Sequence, residues 1–156
     1  MPERPHIRLR KSLLEPLPAA RWPSGFGLIP LSAARPHTVH KLLVDAYANG
    51  FGDITEFDAW WTSLVEDAEF DPGLIFIAAN AAGEPVGVAQ CWTSAFVKDI
   101  AIAAGYRGKG LGEALLWTAF AAFKARGIAH VDLKVQTQNA DAQRLYARVG
   151  MVKVPP

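Results

Sequence analysis

Residues 96–116, FVKDIAIAAGYRGKGLGEALL, join an apolar run to a basic, glycine-rich segment that leads into a helical pattern. A loop of this kind leaves backbone N–H groups free at the start of a helix, where the helix dipole is positive. Such a place attracts anions, and phosphates above all. The pattern therefore predicts a phosphate-binding loop, whose basic or side-chain-free positions are Arg107, Gly108, Lys109, Gly110 and Gly112.

Two common nucleotide loops fit this segment poorly. A nucleotide P-loop needs a Ser or Thr directly after its lysine to hold magnesium, and here Gly110 and Leu111 follow Lys109. A dinucleotide fingerprint needs glycines two and then three positions apart, whereas these glycines are two and two apart. That fingerprint also expects an acid at the end of the next strand, but Asp132 lies near its start.

A second pattern follows downstream and favours a third kind of site. It reads Asn139-x-x-Ala142-x-x-Leu145-Tyr146-x-x-x-Gly150-Met151. Together with Arg107-x-x-Gly110-x-Gly112, it resembles the motifs of the GCN5-related N-acetyltransferases, the GNAT superfamily. The resemblance covers about residues 27–154, and it departs at Met151, where the family more often has Phe or Tyr. A glycine-rich turn with solvated basic residues is the plainer alternative for the loop.

The resemblance implies transfer of an acetyl group from acetyl-CoA to an amine, by direct attack in a ternary complex without a metal. It implies that the loop holds the pyrophosphate and that the preceding strand offers its backbone to the pantetheine arm. Tyr146 would protonate the departing thiolate, or alternatively pack as a core aromatic. Asn139 would contact the cofactor, cap a helix or do both. Lys109 would add positive charge beside the pyrophosphate, or alternatively be solvated. The implied cofactor-binding residues are Ile100, Ala101, Ile102, Arg107, Gly108, Lys109, Gly110, Leu111, Gly112, Asn139 and Tyr146.

The general base is less clear from the sequence. An alkylamine with a pKa near 10.4 must lose its proton, which costs about 4.6 kcal/mol at pH 7. Some family members use a glutamate where this chain has Lys134, which argues against the ribosomal-protein N-terminal acetyltransferases. Asp99 is the best remaining acid, although it could equally serve a structural hydrogen bond. A water relay without a dedicated base is the other alternative.

The acceptor site of this family forms from the first two helices and the segment between them. Here that means residues 47–53 and the cluster of Phe57, Trp60 and Trp61, with Asp53 or Glu56 attracting the charge of an aromatic amine. Rings at this spacing are also typical of a helix packed on a core. A protein lysine or N-terminal acetyltransferase and a non-catalytic acyl-CoA-binding domain remain as alternative functions.

The elements that must position these residues follow the order β-α-α-β-β-β-α-β-α-β. Because strands run consecutively and only one βαβ crossover is clear, we expect an α/β (α+β) fold with a mixed, mostly antiparallel sheet flanked by helices. Residues 26–156 form its single domain, and residues 1–25 form a proline-rich arm.

The arm bears on how the sheet is completed. Alternation over residues 6–11 predicts a short strand at a sheet edge. The family commonly ends in two antiparallel strands, and residues 151–154 supply only the first of them. We therefore expect another strand to fill the gap, either from residues 6–11 or from a second subunit of a homodimer.

Composition and charge bear on the partners and the cellular location that we expect for this chain. The 156 residues carry 16 Lys and Arg against 15 Asp and Glu, a balance that disfavours a nucleic-acid partner. No apolar run reaches the roughly 20 residues that span a bilayer, and the first residues lack the pattern of a signal peptide. Cys91 is the single cysteine, which excludes an intrachain disulfide and suits a cytoplasmic protein.

Overall fold

The computed structural model describes residues 5–48 and 54–156. Their regular elements follow the order predicted from the sequence, with a strand added before them in the arm. The strands are β1 (His6–Ser12), β2 (Gly27–Ile29), β3 (Ile75–Ala79), β4 (Pro85–Trp92), β5 (Phe96–Ile102), β6 (His130–Gln136) and β7 (Val152–Val154), and the helices are α1 (Pro36–Tyr47), α2 (Phe57–Glu66), α3 (Leu111–Ala125) and α4 (Ala140–Arg148).

The strands form one sheet in the order β2-β3-β4-β5-β6-β1-β7. Neighbouring strands run antiparallel, except that β5 and β6 are parallel. The chain reaches β6 from β5 through α3, which is the one βαβ crossover that the sequence indicated. The prediction of a mixed, mostly antiparallel sheet flanked by helices is confirmed.

The position of β1 corrects one expectation and supports another. We expected the strand over residues 6–11 at a sheet edge, but β1 pairs with β6 on one side and with β7 on the other. Its alternation places Leu9 in the core, while its backbone groups are used on both sides. The arm therefore supplies the strand that fills the predicted gap, and β7 takes the edge.

Helices cover the two faces of the sheet unequally. Helices α3 and α4 pack on one face, where Phe120, Phe123 and Leu133 are fully or almost fully buried. Helix α1 packs on the other face over β4 and β5. Farther along that second face, β6 and β1 present charged residues instead of core residues. We call this region the open face; its charged residues are Arg8, Arg10, Asp132 and Lys134.

Local chemistry sets the helix starts next to the sheet. The Glu56 carboxylate caps α2 by accepting hydrogen bonds from the backbone N–H groups of Asp58 and Ala59. Asn139 caps α4 in the same way through Ala142 N–H. Among the described residues, no helix is both long enough and apolar enough to cross a bilayer.

Candidate functional site

A cleft opens where β5 and β6 separate. The two parallel strands are in register only at Phe96 with Asp132 and at Val97 with Leu133. Beyond these pairs, a cavity of about 760 Å³ lies between β5, β6 and α4. A second cavity of about 440 Å³ adjoins it and extends to the glycine-rich loop. Both are bordered by Tyr47, Ile100, Ala101, Ile102, Gly112, Asn139, Ala142 and Leu145, so they form one continuous cleft.

The far half of β5 lines this cleft with its backbone. Residues Ile100, Ala101 and Ile102 pair with β4 on one side, while their register with β6 has ended. Their N–H and C=O groups on the β6 side therefore face the cleft. The Arg107 side chain turns back towards this strand, because its Nε donates to the Ile102 carbonyl oxygen at 3.1 Å.

The loop before α3 has the backbone geometry expected of a ligand cradle. Gly108 and Gly110 have φ angles of 76° and 92°, in the left-handed region that favours glycine. A Cβ built on either residue would meet no heavy atom within 4 Å, so the space beside the backbone is open to a ligand. Leu111 buries its side chain and begins α3, so it offers its backbone N–H to this site.

Gly112 has a different reason to be glycine than the phosphate approach expected from the sequence. A Cβ built on it would lie 3.2 Å from Leu145 Cδ2, so the missing side chain lets α3 and α4 pack closely. Lys109 is exposed and lines neither part of the cleft. The loop therefore presents Arg107 to the cleft and Lys109 to solvent.

Asn139 and Tyr146 both lie on the α4 wall of the cleft. The Asn139 side chain accepts the Ala142 N–H at 3.2 Å, so it caps the helix, and it also borders the cavity. Tyr146 is buried but borders the same cavity. Burial raises the pKa of its phenol well above the ordinary value, and the charge of Asp99 raises it further. The phenol is therefore a proton donor at neutral pH.

Asp99 is a buried carboxylate on the wall of the larger cavity. Its Oδ1 accepts a hydrogen bond from the Tyr47 hydroxyl at 2.9 Å, and its Oδ2 accepts one from Lys98 Nζ at 3.1 Å. The structural hydrogen bond that we considered for Asp99 is present, and the carboxylate borders the cavity as well. Burial, followed by the charge of Asp99, raises the pKa of Tyr47.

Sequence reasoning included Tyr47 in the expected acceptor site but missed its hydrogen bond to Asp99. Tyr47 ends α1, 52 positions before Asp99, and only the packing of α1 over β5 joins them. A local signal was nonetheless present, since a tyrosine closed the apolar stripe of α1 at the helix end where the acceptor site was expected. Tyr47 borders both parts of the cleft.

Of the two alternatives for the rings of α2, the structure supports packing on the core and not an acceptor site. Trp60 is buried, and Phe57 and Trp61 pack against the same core between α1, α2 and the sheet. None of the three borders the cleft. Glu56 is occupied in capping α2. Asp53 lies outside the described residues, as do residues 49–52 of the same predicted site.

The residues present fit acetyl-CoA. Gln136 Oε1 is a buried acceptor on the cleft wall that finds no hydrogen-bond partner among the described residues, so it can accept an N–H of a ligand. The unpaired backbone of β5 can pair with the amides of a pantetheine arm, and the open loop can take its phosphates. Within residues 5–48 and 54–156, no three His, Cys, Asp or Glu side chains converge as metal ligands would.

Sequence comparison places this arrangement in a family. The sequence model of the acetyltransferase (GNAT) family matches residues 37–151. A mycothiol acetyltransferase from Thermobispora bispora is 30% identical over 94% of this chain and 53% of its own length. Streptothricin acetyltransferase from Streptomyces lavendulae is 38% identical over 48% of this chain and 42% of its own length. The chain thus spans about half the length of these curated relatives.

Structural comparison supports the same fold. A GCN5-related N-acetyltransferase from Sphaerobacter thermophilus superposes with a TM-score of 0.82 at 24% identity, and the match covers 99% of this chain and 50% of that one. At this identity, the likeness bears on the fold alone. The features that bear on function are the cleft between the two parallel strands, the loop before α3, Asn139 and Tyr146.

Proposed function

This chain belongs to the acetyltransferase (GNAT) family, and we propose that it transfers an acetyl group from acetyl-CoA to the amine of a small molecule. One observation carries the proposal: a single cleft joins the glycine-rich loop, where phosphates can bind, to Asp99 and Tyr146. A donor bound along that cleft would place its reactive end beside a carboxylate and a protonated phenol. These are the two groups that an acyl transfer to an amine can use.

The chain's own residues would hold the donor by complementary means. Backbone N–H groups from Gly108 to Gly112, aided by the dipole of α3 and by Arg107, would bind the pyrophosphate. The far half of β5 and Gln136 Oε1 would bind the amides of the arm. When bound, acetyl-CoA supplies the thioester that the amine attacks.

Asp99 and Tyr146 would divide the proton movements. Asp99 would attract the ammonium form of the acceptor and orient its nitrogen towards the cleft. Removal of the ammonium proton costs about 4.6 kcal/mol at pH 7 for an ordinary alkylamine, so solvent or Asp99 must accept it before attack. Tyr146 would donate its proton to the leaving sulfur. Its raised pKa makes this transfer uphill and therefore dependent on close placement.

A small-molecule acceptor has the better support among the acceptor classes. Two curated relatives are named for streptothricin and mycothiol, both small molecules, while another acetyltransferase is named for the alanine of ribosomal protein bS18. Lys134 occupies the position where some family members that acetylate ribosomal proteins have a glutamate. The first test is a screen of purified chain with acetyl-CoA against amines, amino acids and peptides, with thiol release and product mass as readouts.

Donor binding should be measured separately, by calorimetry with CoA. We expect Arg107→Gln to weaken CoA binding by about tenfold, since it removes one charge-assisted contact. Arg21→Gln, an exposed arginine away from the cleft, is the matched control. CoA binding without turnover on any acceptor would replace the proposal by a non-catalytic acyl-CoA-binding domain. Turnover on peptides alone would replace the small molecule by a protein acceptor.

A further inference from the structure

The open face of the sheet meets the cleft beside Asp99, and this border is basic. His6 and Arg8 of β1, Lys98 of β5 and Lys134 of β6 all border the larger cavity. Asp99 is the one acidic side chain among the described residues that border it. The chain as a whole has a formal net charge of only +1, so positive charge is concentrated at this border.

Arg8 is held at this border by one of its side-chain nitrogens, which leaves its other N–H groups available as hydrogen-bond donors. Its Nε donates to Asp132 Oδ2 at 2.8 Å, and its guanidinium lies 5.5 Å from the centre of the Phe96 ring. Arg10 uses the same carboxylate twice, through Nε at 2.8 Å and Nη2 at 3.0 Å. One carboxylate thus serves two guanidinium groups. Within the described part of the chain, the terminal nitrogens of Arg8 donate to no protein group.

Lys134 extends the same surface. It lies directly opposite Arg8 in the register of β1 and β6, and its side chain is exposed. In the ranges that the structure describes, Lys134 makes no ion pair with an acidic side chain. An arginine fork and a lysine ammonium that border one cavity from neighbouring strands are groups that can bind a compact anion together.

We propose that the acceptor is an amine that also carries a carboxylate or phosphate group, and that Arg8 and Lys134 bind this anionic group. The inference rests on the proposed function and names its substrate class. The anion would lie against β1 and β6, while Asp99 on β5 attracts the ammonium. The two ends of such an acceptor carry opposite charges, so each end can contact a side chain of the opposite sign.

The same charges select against other amines. A polyamine or a simple alkylamine brings only positive charge to a border that already holds Arg8 and Lys134, and like charges repel. An amine with an adjacent anion removes that repulsion and gains charge-assisted hydrogen bonds. Discrimination between an acceptor and its uncharged analogue is therefore the property to measure.

The experiment compares matched acceptors on the wild-type chain and on two variants. The acceptors are phenylalanine with its amide, and O-phosphoethanolamine with ethanolamine. We expect the acid to be preferred over its neutral partner in at least one pair, and the pair that responds distinguishes carboxylate from phosphate. Arg8→Gln and Lys134→Gln should each reduce that preference by about tenfold or more through KM, the effect of one charge-assisted contact. The ratio of the acid to its neutral partner is compared between the wild type and each variant. The difference in amine pKa between the two acceptors is the same in every chain and therefore cancels.

Controls separate recognition from strand pairing. Arg10→Gln removes a partner of the same Asp132 carboxylate from the same strand, but Arg10 does not border the cavity. Lys153→Gln removes an exposed lysine from β7, also away from the cavity. Both controls should keep the wild-type preference. An equal loss in Arg10→Gln would show that Arg8 acts only through the position of β1 and would overturn the proposal.

A second readout does not need turnover. With the donor site saturated by CoA, inorganic phosphate is titrated into the wild-type chain and the variants, and binding is followed by calorimetry. We expect phosphate to bind the wild type and the controls, and to bind Arg8→Gln and Lys134→Gln about tenfold more weakly or not at all. No phosphate binding to the wild type, together with no preference for either acid, would overturn the proposal. Phosphate binding that depends on Arg8, in a chain that acetylates nothing, would support the anion subsite and reject the proposed function.

Discussion

At the scale of single residues, the proposed chemistry of the cleft rests on one carboxylate, Asp99, and two phenols, Tyr47 and Tyr146. Asp99 accepts a hydrogen bond from Tyr47, and its charge also raises the pKa of Tyr146. Neither phenol ionises near neutral pH, because burial and Asp99 both disfavour a second negative charge there. Tyr47 therefore orients the carboxylate, and Tyr146 keeps the proton that a leaving thiolate would need.

Replacing Tyr146 tests that assignment. Tyr146→Phe keeps the buried ring and removes only the hydroxyl, so we expect kcat to fall by about a hundredfold, the lower range for loss of a general acid. The affinity for CoA, measured by calorimetry, should stay within about twofold. Tyr106→Phe is the control for kcat, because the Tyr106 hydroxyl accepts a hydrogen bond from Asn80 Nδ2 and Tyr106 does not border the larger cavity with Asp99 and Tyr146. A Tyr146→Phe chain with wild-type kcat would contradict the role.

The hydrogen bonds of Asp132 predict how the free energy of unfolding changes with pH. Hydrogen bonds from Arg10 and then Arg8 lower the pKa of this buried carboxyl from 3.8 to about 2. The folded state therefore favours the charged form, and the resulting stability is present above about pH 4 and lost as the pH falls towards 2. A shift of this size corresponds to about 2 kcal/mol.

Urea unfolding of Asp132→Asn should show this directly. We expect the free energy of unfolding at pH 7 to fall by about 2 kcal/mol and its slope between about pH 4 and pH 2 to become shallower than in the wild type. Asp45→Asn removes an exposed carboxylate paired with Lys41 and should change little. A wild-type slope retained in Asp132→Asn would mean that other carboxyl groups set the acid sensitivity.

At the scale of elements, the loop before α3 combines a backbone conformation that requires glycine with a candidate ligand site. Gly108 and Gly110 adopt left-handed conformations that cost other residues about 1–2 kcal/mol each. We expect Gly108→Ala and Gly110→Ala to lower the free energy of unfolding by that amount and to weaken CoA binding as well. Gly105→Ala is the matched control, since a Cβ there also meets no atom within 4 Å and its φ is not positive. CoA binding unchanged in both variants would remove the loop from the donor site.

The sequence predicted this loop and its helix because their signals are local. The glycine spacing lies within one short loop. The cap residue Asn139 and the tyrosine seven positions later lie within two turns of one helix. The order of the elements after residue 26 followed from periodicity in the same way. The match of two such motifs in the right order gave the family.

The rest of the site depends on pairings that local signals do not encode. Tyr47 meets Asp99 through the packing of α1, and Arg8 reaches the cleft only because β1 lies beside β6. A partial signal was available, since β1 and β6 both alternate apolar with charged residues. Two neighbouring strands of this kind indicate a sheet face without a covering helix. Their register, and hence the meeting of Arg8 with Lys134, required the structure.

At the scale of the whole molecule, β1 contributes both to the stability of the sheet and to the wall of the candidate site. It pairs with β6 along its whole length and with β7 through three residues, and it buries Leu9 in the core below. On its other face it places Arg8 at the border of the cleft. A strand from the start of the chain therefore both completes the sheet and forms one wall where an acceptor would enter.

Deletion of residues 1–12 should accordingly damage folding and not only recognition. Without β1, the edge of β6 and the apolar residues under it are exposed. The three-residue strand β7 also loses its only partner among the described strands. We expect the truncated chain to lose its cooperative urea transition or to assemble into oligomers through the exposed edge. A synthetic peptide of residues 5–14 added in trans should restore the monomeric transition, and a peptide with Leu9→Asp should not, because it would bury an unpaired charge. A truncated chain that stays monomeric with the wild-type midpoint would show that β1 contributes to the site without being needed for the fold.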